Sequence, residues 1–431
     1  MSAHALWVVL HALAVVVFVN RYIGGIVLKL IKGSKWDETR DDYEPTVTAV
    51  IPMFNEGEAI KETLLSLLAS DYPAEKFKIV VVDDRSKDDS CTHARAVAKQ
   101  SGGRIRVIRN AVNLGKRRSI NRAVRESDSE IIVSVDSDCV VDPDAIRQLV
   151  RRFTEPKVAA VGGWVDVRNK HENWLSRMQT VKYWYSYYFM KNLEWAFRRV
   201  MCLSGCLTAY RRDVLMELEP VLERREILGV PIKYGEDRFL TRQVVKAGYL
   251  TTMTLDARCR TFVPTTLNGY FSQQLRWRRS NIVDYVGGFS HVWRLNPILA
   301  IHFFSLFALL LAYPLAITRL LLAHKFFAVL LINIEIVALF GLYYRWRVRK
   351  LPKSERVGVF SYIPLAVLMP VTYAIMTPCA LFTLDSGSWE TRNHDALEPN
   401  IEPLPVRDVT SELVAIKPVE AAVGRAQMPA A

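Results

Sequence analysis

IIVSVDSDCVVD, Ile131 to Asp142, sets a short β-branched run directly against two acids one residue apart. A run of that length, apolar on both alternating faces, is the composition of a parallel strand covered on both sides. Working outward, similar runs occur at Val47 to Ile51, Lys78 to Val82 and Ile105 to Ile108, each separated from the next by a stretch that accommodates a crossover helix, such as Glu58 to Ser70. The region from about Pro45 to Asp256 therefore reads as an α/β domain of the nucleotide-binding type. Polar residues stand just past the strand ends, where such sheets bind ligands.

The composition of the whole chain limits what surrounds this domain. At 431 residues it exceeds one ordinary domain, and two or three units are expected. It is 50% hydrophobic and 23% charged, with a mean hydropathy of +0.09. That pairing points to apolar stretches segregated from a charged globular part, and excludes a disordered chain. Six scattered cysteines disfavour a disulfide framework, and Cys202 and Cys206 read as buried thiols because no paired zinc-ligand spacing follows them. The net charge of +13 fits nucleic acid, an anionic membrane surface or an anionic substrate.

The apolar stretches lie at the two ends. Ala5 to Val19 is uncharged, and Ile23 to Ile31 continues the run before Lys32 and Lys35. The basic residues follow the apolar core instead of preceding it, which argues for a membrane anchor over a signal peptide and puts the N-terminus outside. Ile298 to Thr318 and Phe326 to Tyr344 read as a membrane hairpin, the second segment containing only Glu335 as a charge. Arg345 to Arg356 holds six basic residues against one acid and is expected in the cytoplasm. Val357 to Leu384 is uncharged over 28 residues but interrupted by Pro364, Pro370 and Pro378, a pattern of short pieces suited to an interfacial or re-entrant path. The tail after Arg392 has no sustained apolar period and reads as disordered, and no internal repeat is found.

Four groups of residues carry potential chemistry. Asp83 and Asp84 follow the second strand and can accept hydrogen bonds from a base or ribose, although an acid pair at a strand end also serves as a turn or cap. Asp136 and Asp138 are expected to share one direction by strand alternation; two acids in a small volume need a cation or a raised pKa, so a divalent metal bridging a diphosphate is the sharper reading and a solvated strand end the plainer one. Glu236 and Asp237 open an apparent helix in KYGEDRFLT, where capping is the alternative role. FSQQLRWRRS, Phe271 to Ser280, puts Arg276, Arg278 and Arg279 around Trp277, which suits a sugar stacked near a phosphate and equally a membrane-interface helix.

Taken in order, Asp-Asp, Asp-x-Asp, Gly-Glu-Asp and Gln-x-x-Arg-Trp between membrane segments resemble the processive family-2 glycosyltransferases over about Pro45 to Arg392. NLGKRRSINRAV, LSGCLTAYRRDVL, LGVPIKYGEDRFLT and ALFTLDSGSWETR look most like the hyaluronan synthase and NodC-type chitin synthase branch, with cellulose synthases as further relatives. Gly-Glu-Asp at 235 to 237 and Ser204-Gly205-Cys206 stand where hyaluronan synthases usually have Gly-Asp-Asp and Ser-Gly-Pro. Trp389-Glu390-Thr391-Arg392 replaces the usual Trp-Gly-Thr-Arg, adding a negative charge to a loop expected to approach a diphosphate.

The resemblance implies a GT-A type nucleotide-sugar-binding domain with a mostly parallel sheet, plus α-helical transmembrane and interfacial segments. It implies that Asp83 and Asp84 recognise uridine, with Lys116 and Arg117 near the nucleotide, and that Asp136 and Asp138 hold UDP with Mg²⁺ or Mn²⁺, Asp138 being the direct ligand. Asp237, beside Glu236, is then the general base; Gln273, Arg276 and Trp277 line the acceptor and diphosphate site, and Trp389 with Arg392 forms a closing gate. The corresponding organisation is an N-terminal helix and basic flank (1–35), a cytoplasmic catalytic domain (45–260), interfacial helices (261–297), the hairpin (298–344), a basic loop and re-entrant segment (345–384), the gating loop (385–392) and the tail (393–431).

The expected activity is polymerisation of UDP-sugars into a β-linked polysaccharide at the plasma membrane, with lipid bilayer and growing polymer as partners. Hyaluronan synthesis from UDP-GlcNAc and UDP-GlcUA is the first reading and chitin synthesis from UDP-GlcNAc the second. A non-processive lipid glycosyltransferase and a basic membrane-anchored nucleic-acid binder are the rivals; the latter leaves the ordered acidic motifs unexplained, and no nucleic-acid partner is expected.

Overall fold

The computed structural model describes residues 19–32 and 38–385 apart from 224, 228, 229 and 233, together with 5, 8, 12, 15 and 16. Trp389, Arg392 and the tail 393–431 lie outside the described residues, as does most of the first apolar run.

An eight-stranded sheet runs in the order β3-β2-β1-β4-β7-β6-β10-β5. Its first half is the parallel set read from the sequence: β1 (Val47–Met53), β2 (Phe77–Asp83), β3 (Ile105–Arg109) and β4 (Ile131–Ser134). Every residue of β1 and β4 is buried, the cause of their almost wholly apolar composition. β1 pairs with β2 on one side and β4 on the other, so the chain reverses its winding beside β1 and opens a crevice at the carboxyl ends of these strands.

The second half comprises β5 (Val140–Val141), β6 (Val158–Val167), β7 (Thr208–Arg211) and β10 (Leu250–Thr261). β7 runs antiparallel to β4, pairing Thr208 with Ser134. That register matters for the site, since residues just before Thr208 must then lie beyond the carboxyl end of β4. A two-stranded ribbon, β8 (Glu226–Ile227) with β9 (Val230–Pro231), stands apart from the main sheet.

Two helices connect this domain to the apolar part. Trp174–Tyr188 opens with a capping box, Asn173 Oδ1 accepting from the Ser176 N–H and Ser176 Oγ from the Asn173 N–H, both at 3.0 Å. Near its other end Tyr185 donates to the Phe340 carbonyl and stacks on Tyr362. Leu267–Gly288 is capped by Thr266 and carries the Gln-x-x-Arg-Trp segment. The expected interfacial region is thus one long helix followed by a single 3-10 turn, Val292–Arg294.

Helices Pro297–Leu322 and Phe326–Arg347 follow, joined by three residues. Among the described residues, Pro297–Leu320 is the one helix long and apolar enough to cross a membrane. The proline-interrupted stretch breaks only partly as expected. Pro370 lies inside the helix Leu365–Ala374 and Pro378 inside Met376–Leu381. One break falls at Ile363-Pro364, as the proline pattern expects, and the other at Ile375. Pro364 has no N–H to lose at a helix start, and Pro378 sits in a first turn, where its missing donor costs nothing. The segments Lys353–Tyr362 and Leu365–Ala374 are bent 68° apart.

Both ends of this stretch are tied to the α/β domain. Glu355 accepts from Arg258 at 2.6 Å and pairs with Lys170 at 3.5 Å, within a buried network that includes Asp166. At the other end the Leu384 carbonyl accepts from Tyr234 Oη at 2.8 Å, and Thr383 Oγ1 from Arg279 Nε of the connecting helix Leu267–Gly288 at 3.0 Å.

Candidate active site

β4 ends at Ser134, so Asp136 and Asp138 lie in the turn beyond it and not on the strand. The expected alternation does not orient them. A turn does, closed by the Cys139 N–H donating to the Asp136 carbonyl at 3.1 Å. Both acids are half-buried at the crevice between β1 and β4.

Three segments converge on Asp136. Lys116 is the first residue of the helix Lys116–Arg125, a poor place for a cation next to the positive end of a helix dipole. Two carboxylates compensate: Nζ lies 2.6 Å from Asp136 Oδ1 and 3.1 Å from Glu236 Oε1. Burial opposes the charge of Lys116, but Asp136 and Glu236 hold its pKa well above the usual lysine value. Burial alone would likewise raise the Glu236 carboxyl, yet the adjacent ammonium keeps it below the ordinary glutamate range. Asp237 follows in the first turn of Glu236–Lys246, where acids are favoured; its Oδ1 accepts from the Arg238 N–H at 2.8 Å and its charge also acts on Lys116.

Two glycines show how closely these segments meet. A Cβ on Gly205 would stand 3.2 Å from Lys116 Nζ and 3.3 Å from Asp136 Oδ1, so this backbone lies against the ion pair. Gly235 has φ +68°, and a Cβ there would fall 1.9 Å from Ser280 Oγ. Gly-Glu-Asp therefore packs directly on the last residue of FSQQLRWRRS. The antiparallel register of β7 brings Cys206 to the same place, its thiol 3.4 Å from Asp136 Oδ2. The Cys139 thiol and burial both push the Cys206 pKa well above the usual value, which keeps it neutral.

Tyr183 lies near both the Gln-x-x-Arg-Trp side chains and the acids. Its ring lies 6.1 Å from that of Trp277, and its phenol, raised in pKa by burial, lies in the fields of Arg276 and Asp138. Gln273 is buried and accepts from Gln274 Nε2 at 3.4 Å.

Asp83 and Asp84 do not touch this cluster. Asp83 is fully buried, accepting from the Ser86 N–H and pairing with Arg109 Nε, each at 3.0 Å. Asp84 accepts from Asn110 Nδ2 at 2.7 Å and from the N–H groups of Leu114 and Gly115 at 2.8 and 2.7 Å. It thereby holds the loop that delivers Lys116. Arg117 donates to the Ile232 carbonyl at 3.4 Å, and burial lowers its pKa.

Tyr183 and Lys116's bridge to Glu236 were not among the sequence expectations. Tyr183 lies in the aromatic run YWYSYYF, where nothing local distinguishes it. Cys206 was read as a buried thiol and as a departure from Ser-Gly-Pro, and neither reading placed it beside Asp136.

A cation would find hard oxygens on Asp136 and Asp138. Among the described residues no group of three or more His, Cys, Asp and Glu forms a closed cage. One or two carboxylates completed by substrate phosphates is the usual arrangement for Mg²⁺ and similar ions, so the donor set fits.

Residues 45–280 match the family described as Glycosyltransferase like family 2. An N-acetylglucosaminyltransferase of Azorhizobium caulinodans is 36% identical over 241 residues, 56% of this chain and 60% of that protein. A hyaluronan synthase of Streptococcus pyogenes serotype M1 is 34% identical over 271 residues, 60% of this chain and 62% of that protein. The chain thus spans about 60% of the length of these curated relatives. A mannosyltransferase from Pyrobaculum calidifontis, solved with GDP-Man and Mn²⁺, superposes with a TM-score of 0.56 at 21% identity, covering 84% of this chain and 99% of that one. That likeness bears on the fold, which is of the GT-A type. With more than half its length matched, this chain belongs to the family 2 glycosyltransferases.

Proposed function

We propose that this protein is a membrane-embedded inverting glycosyltransferase that polymerises UDP-sugars into a β-linked polysaccharide and passes the product through its own apolar helices. The observation that carries the reading is the convergence of Asp136, Lys116, Glu236 and Asp237 on one crevice, with Gly235 locked against the end of the Gln-x-x-Arg-Trp segment. Asp237 takes the proton from the acceptor hydroxyl as it attacks the anomeric carbon of an α-linked donor, with inversion. Arg276, whose charge acts on Tyr183 as that of Asp138 does, meets the departing diphosphate, while Gln273 and Trp277 hold the acceptor. Lys116 and Arg117 form the nucleotide side, positioned by Asp84, which holds the loop before Lys116, while Asp83 is buried against Arg109. Asp138, helped by Asp136, would hold Mg²⁺ or Mn²⁺, which supplies charge neutralisation of the diphosphate when bound.

The ties of Glu355 and Leu384 to the α/β domain support a re-entrant path for 357–384, entering and leaving on the cytoplasmic side. On that reading Trp389 and Arg392 close over the donor from the same side.

Hyaluronan is the first product reading. Chitin oligosaccharides from UDP-GlcNAc alone are the second, favoured by relatives named N-acetylglucosaminyltransferase. Purified protein given labelled UDP-GlcNAc, with and without UDP-GlcUA, and its product digested with hyaluronidase or chitinase, separates the two. Polymer from UDP-GlcNAc alone removes the hyaluronan reading. Products of one or two sugars remove processivity.

A further inference from the structure

Several buried or half-buried cations among the described residues have a carboxylate beside them: Lys170 has Asp166 at 2.8 Å, Arg242 has Asp284 at 2.9 Å, and Lys116 has two. Lys182 and Arg278 do not. Neither forms an ion pair among the described residues, although they lie together on adjoining helices. Lys182 Nζ donates to Gln274 Oε1 at 2.5 Å and stands 5.5 Å from the Trp277 ring centroid and 5.3 Å from that of Tyr270. Arg278, 6% exposed, lays its guanidinium 3.8 Å from the Tyr373 centroid, and its Nε has no hydrogen-bond partner.

Uncompensated charge in a protein wall is costly, and the cost is visible. Burial, with the nearby charge of Arg278, pulls the Lys182 pKa down to about 7. Lys182 retains partial exposure, so a ligand can reach it.

The location identifies the ligand. Trp277 lies beside both Lys182 and Tyr183, and Tyr183 lies in the fields of Asp138 and Arg276. Tyr373, which carries Arg278, is 5.2 Å from Tyr313 of the helix Pro297–Leu322. The two cations therefore stand between the transfer site and the apolar helices. Around them the half-buried rings of Trp277 and Tyr373 offer faces of the kind that stack on sugars. A neutral polymer supplies no anion to this place, and the donor diphosphate belongs at the Asp136 end of the crevice.

We propose that Lys182 and Arg278 form a carboxylate subsite that receives the uronate units of an acidic polysaccharide as it leaves the transfer site. This rests on the glycosyltransferase reading and selects an acidic over a neutral product. Two charge-assisted contacts to one carboxylate should give at least a tenfold preference for an acidic chain.

The test uses full-length protein in phosphatidylcholine nanodiscs, with binding of a hyaluronan hexasaccharide and of chitohexaose measured on wild type, Lys182→Gln and Lys182→Arg, alongside UDP release. Wild type should bind the acidic oligosaccharide at least about tenfold more tightly, Lys182→Gln should lose most of that preference, and Lys182→Arg should keep it. Between about pH 6 and pH 8 the wild-type preference should shrink as Lys182 loses its proton, an answer that stands even if the Gln variant misfolds. Equal binding of the two oligosaccharides by wild type overturns the proposal, as does an undiminished preference in Lys182→Gln. A preference abolished by phosphatidylglycerol nanodiscs also overturns it, because the cations would then be held by lipid phosphate. No UDP release from any UDP-sugar would refute the glycosyltransferase reading itself, whereas UDP release with equal binding refutes the subsite alone.

Discussion

Replacing Lys116 by Met removes one charge while keeping most of the aliphatic stem, and leaves Asp136 and Glu236 facing each other. Both touch the same nitrogen, so their oxygens lie within about 6 Å. Breaking a buried ion pair costs about 3–5 kcal/mol, because the remaining charge is stranded. Asp136 keeps 24% of its side chain exposed and Glu236 15%, so water relieves part of the penalty and the lower figure, about 3 kcal/mol, applies. For a domain of this size each kcal/mol shifts Tm by about 2–4 °C, giving a fall of about 6–12 °C at pH 7.5. The pH dependence has a definite sign. In the wild type Lys116 holds Glu236 below its ordinary pKa, so that stabilisation is present above the unfolded value and lost as pH falls through the folded one. Without Lys116, burial and the neighbouring acid raise the carboxyls instead, and protonation relieves the variant as pH falls toward about 5. The gap between the two proteins should therefore narrow on acidification, and Lys116→Arg should close much of it at neutral pH. Tryptophan fluorescence melts of full-length protein at one scan rate measure this. A variant melting within about 2 °C of wild type at pH 7.5, or a gap unchanged at pH 5, would refute the argument.

Three other outcomes are expected. Asp237→Asn should retain UDP binding but lose about 10²–10⁴-fold in sugar transfer, and turnover above about a tenth of wild type contradicts the base role. Asp138→Asn should weaken UDP binding in the presence of Mn²⁺, since an amide is a poor ligand for a hard cation; unchanged affinity by titration calorimetry would leave the acid as a turn residue. A cysteine at Ser388 in a cysteine-free background should resist an impermeant thiol reagent in intact cells and react after permeabilisation, and labelling of intact cells would exclude a gate formed by Trp389 and Arg392.

The parallel half of the sheet was legible because burial on both faces leaves a local mark. Val47–Met53 and Ile131–Ser134 are apolar at every buried position apart from single small hydroxyl residues, and no distant contact is needed to recognise them. The apolar helices were legible for the same reason, since the length and charge content of Ile298 to Thr318 are properties of one segment. Motif order along the chain identified the family. Local reasoning went astray where the backbone leaves regular structure: Asp136 and Asp138 owe their placement to a turn, and Pro370 is accommodated within a helix.

What the sequence determined alone is therefore a partial inventory: the four parallel strands β1 to β4, the apolar helices, and the acids and cations available, whereas β5, β6, β7 and β10 carry no such local mark. Tertiary structure decided their partners. Lys116, Asp136 and Glu236 are far apart in the chain and meet because a parallel crossover and an antiparallel β7 return them to one crevice. The same packing leaves Lys182 and Arg278 without an acid among the described residues. Charge compensation is a through-space property acting over a few ångströms, and only the folded chain specifies which charges come that close.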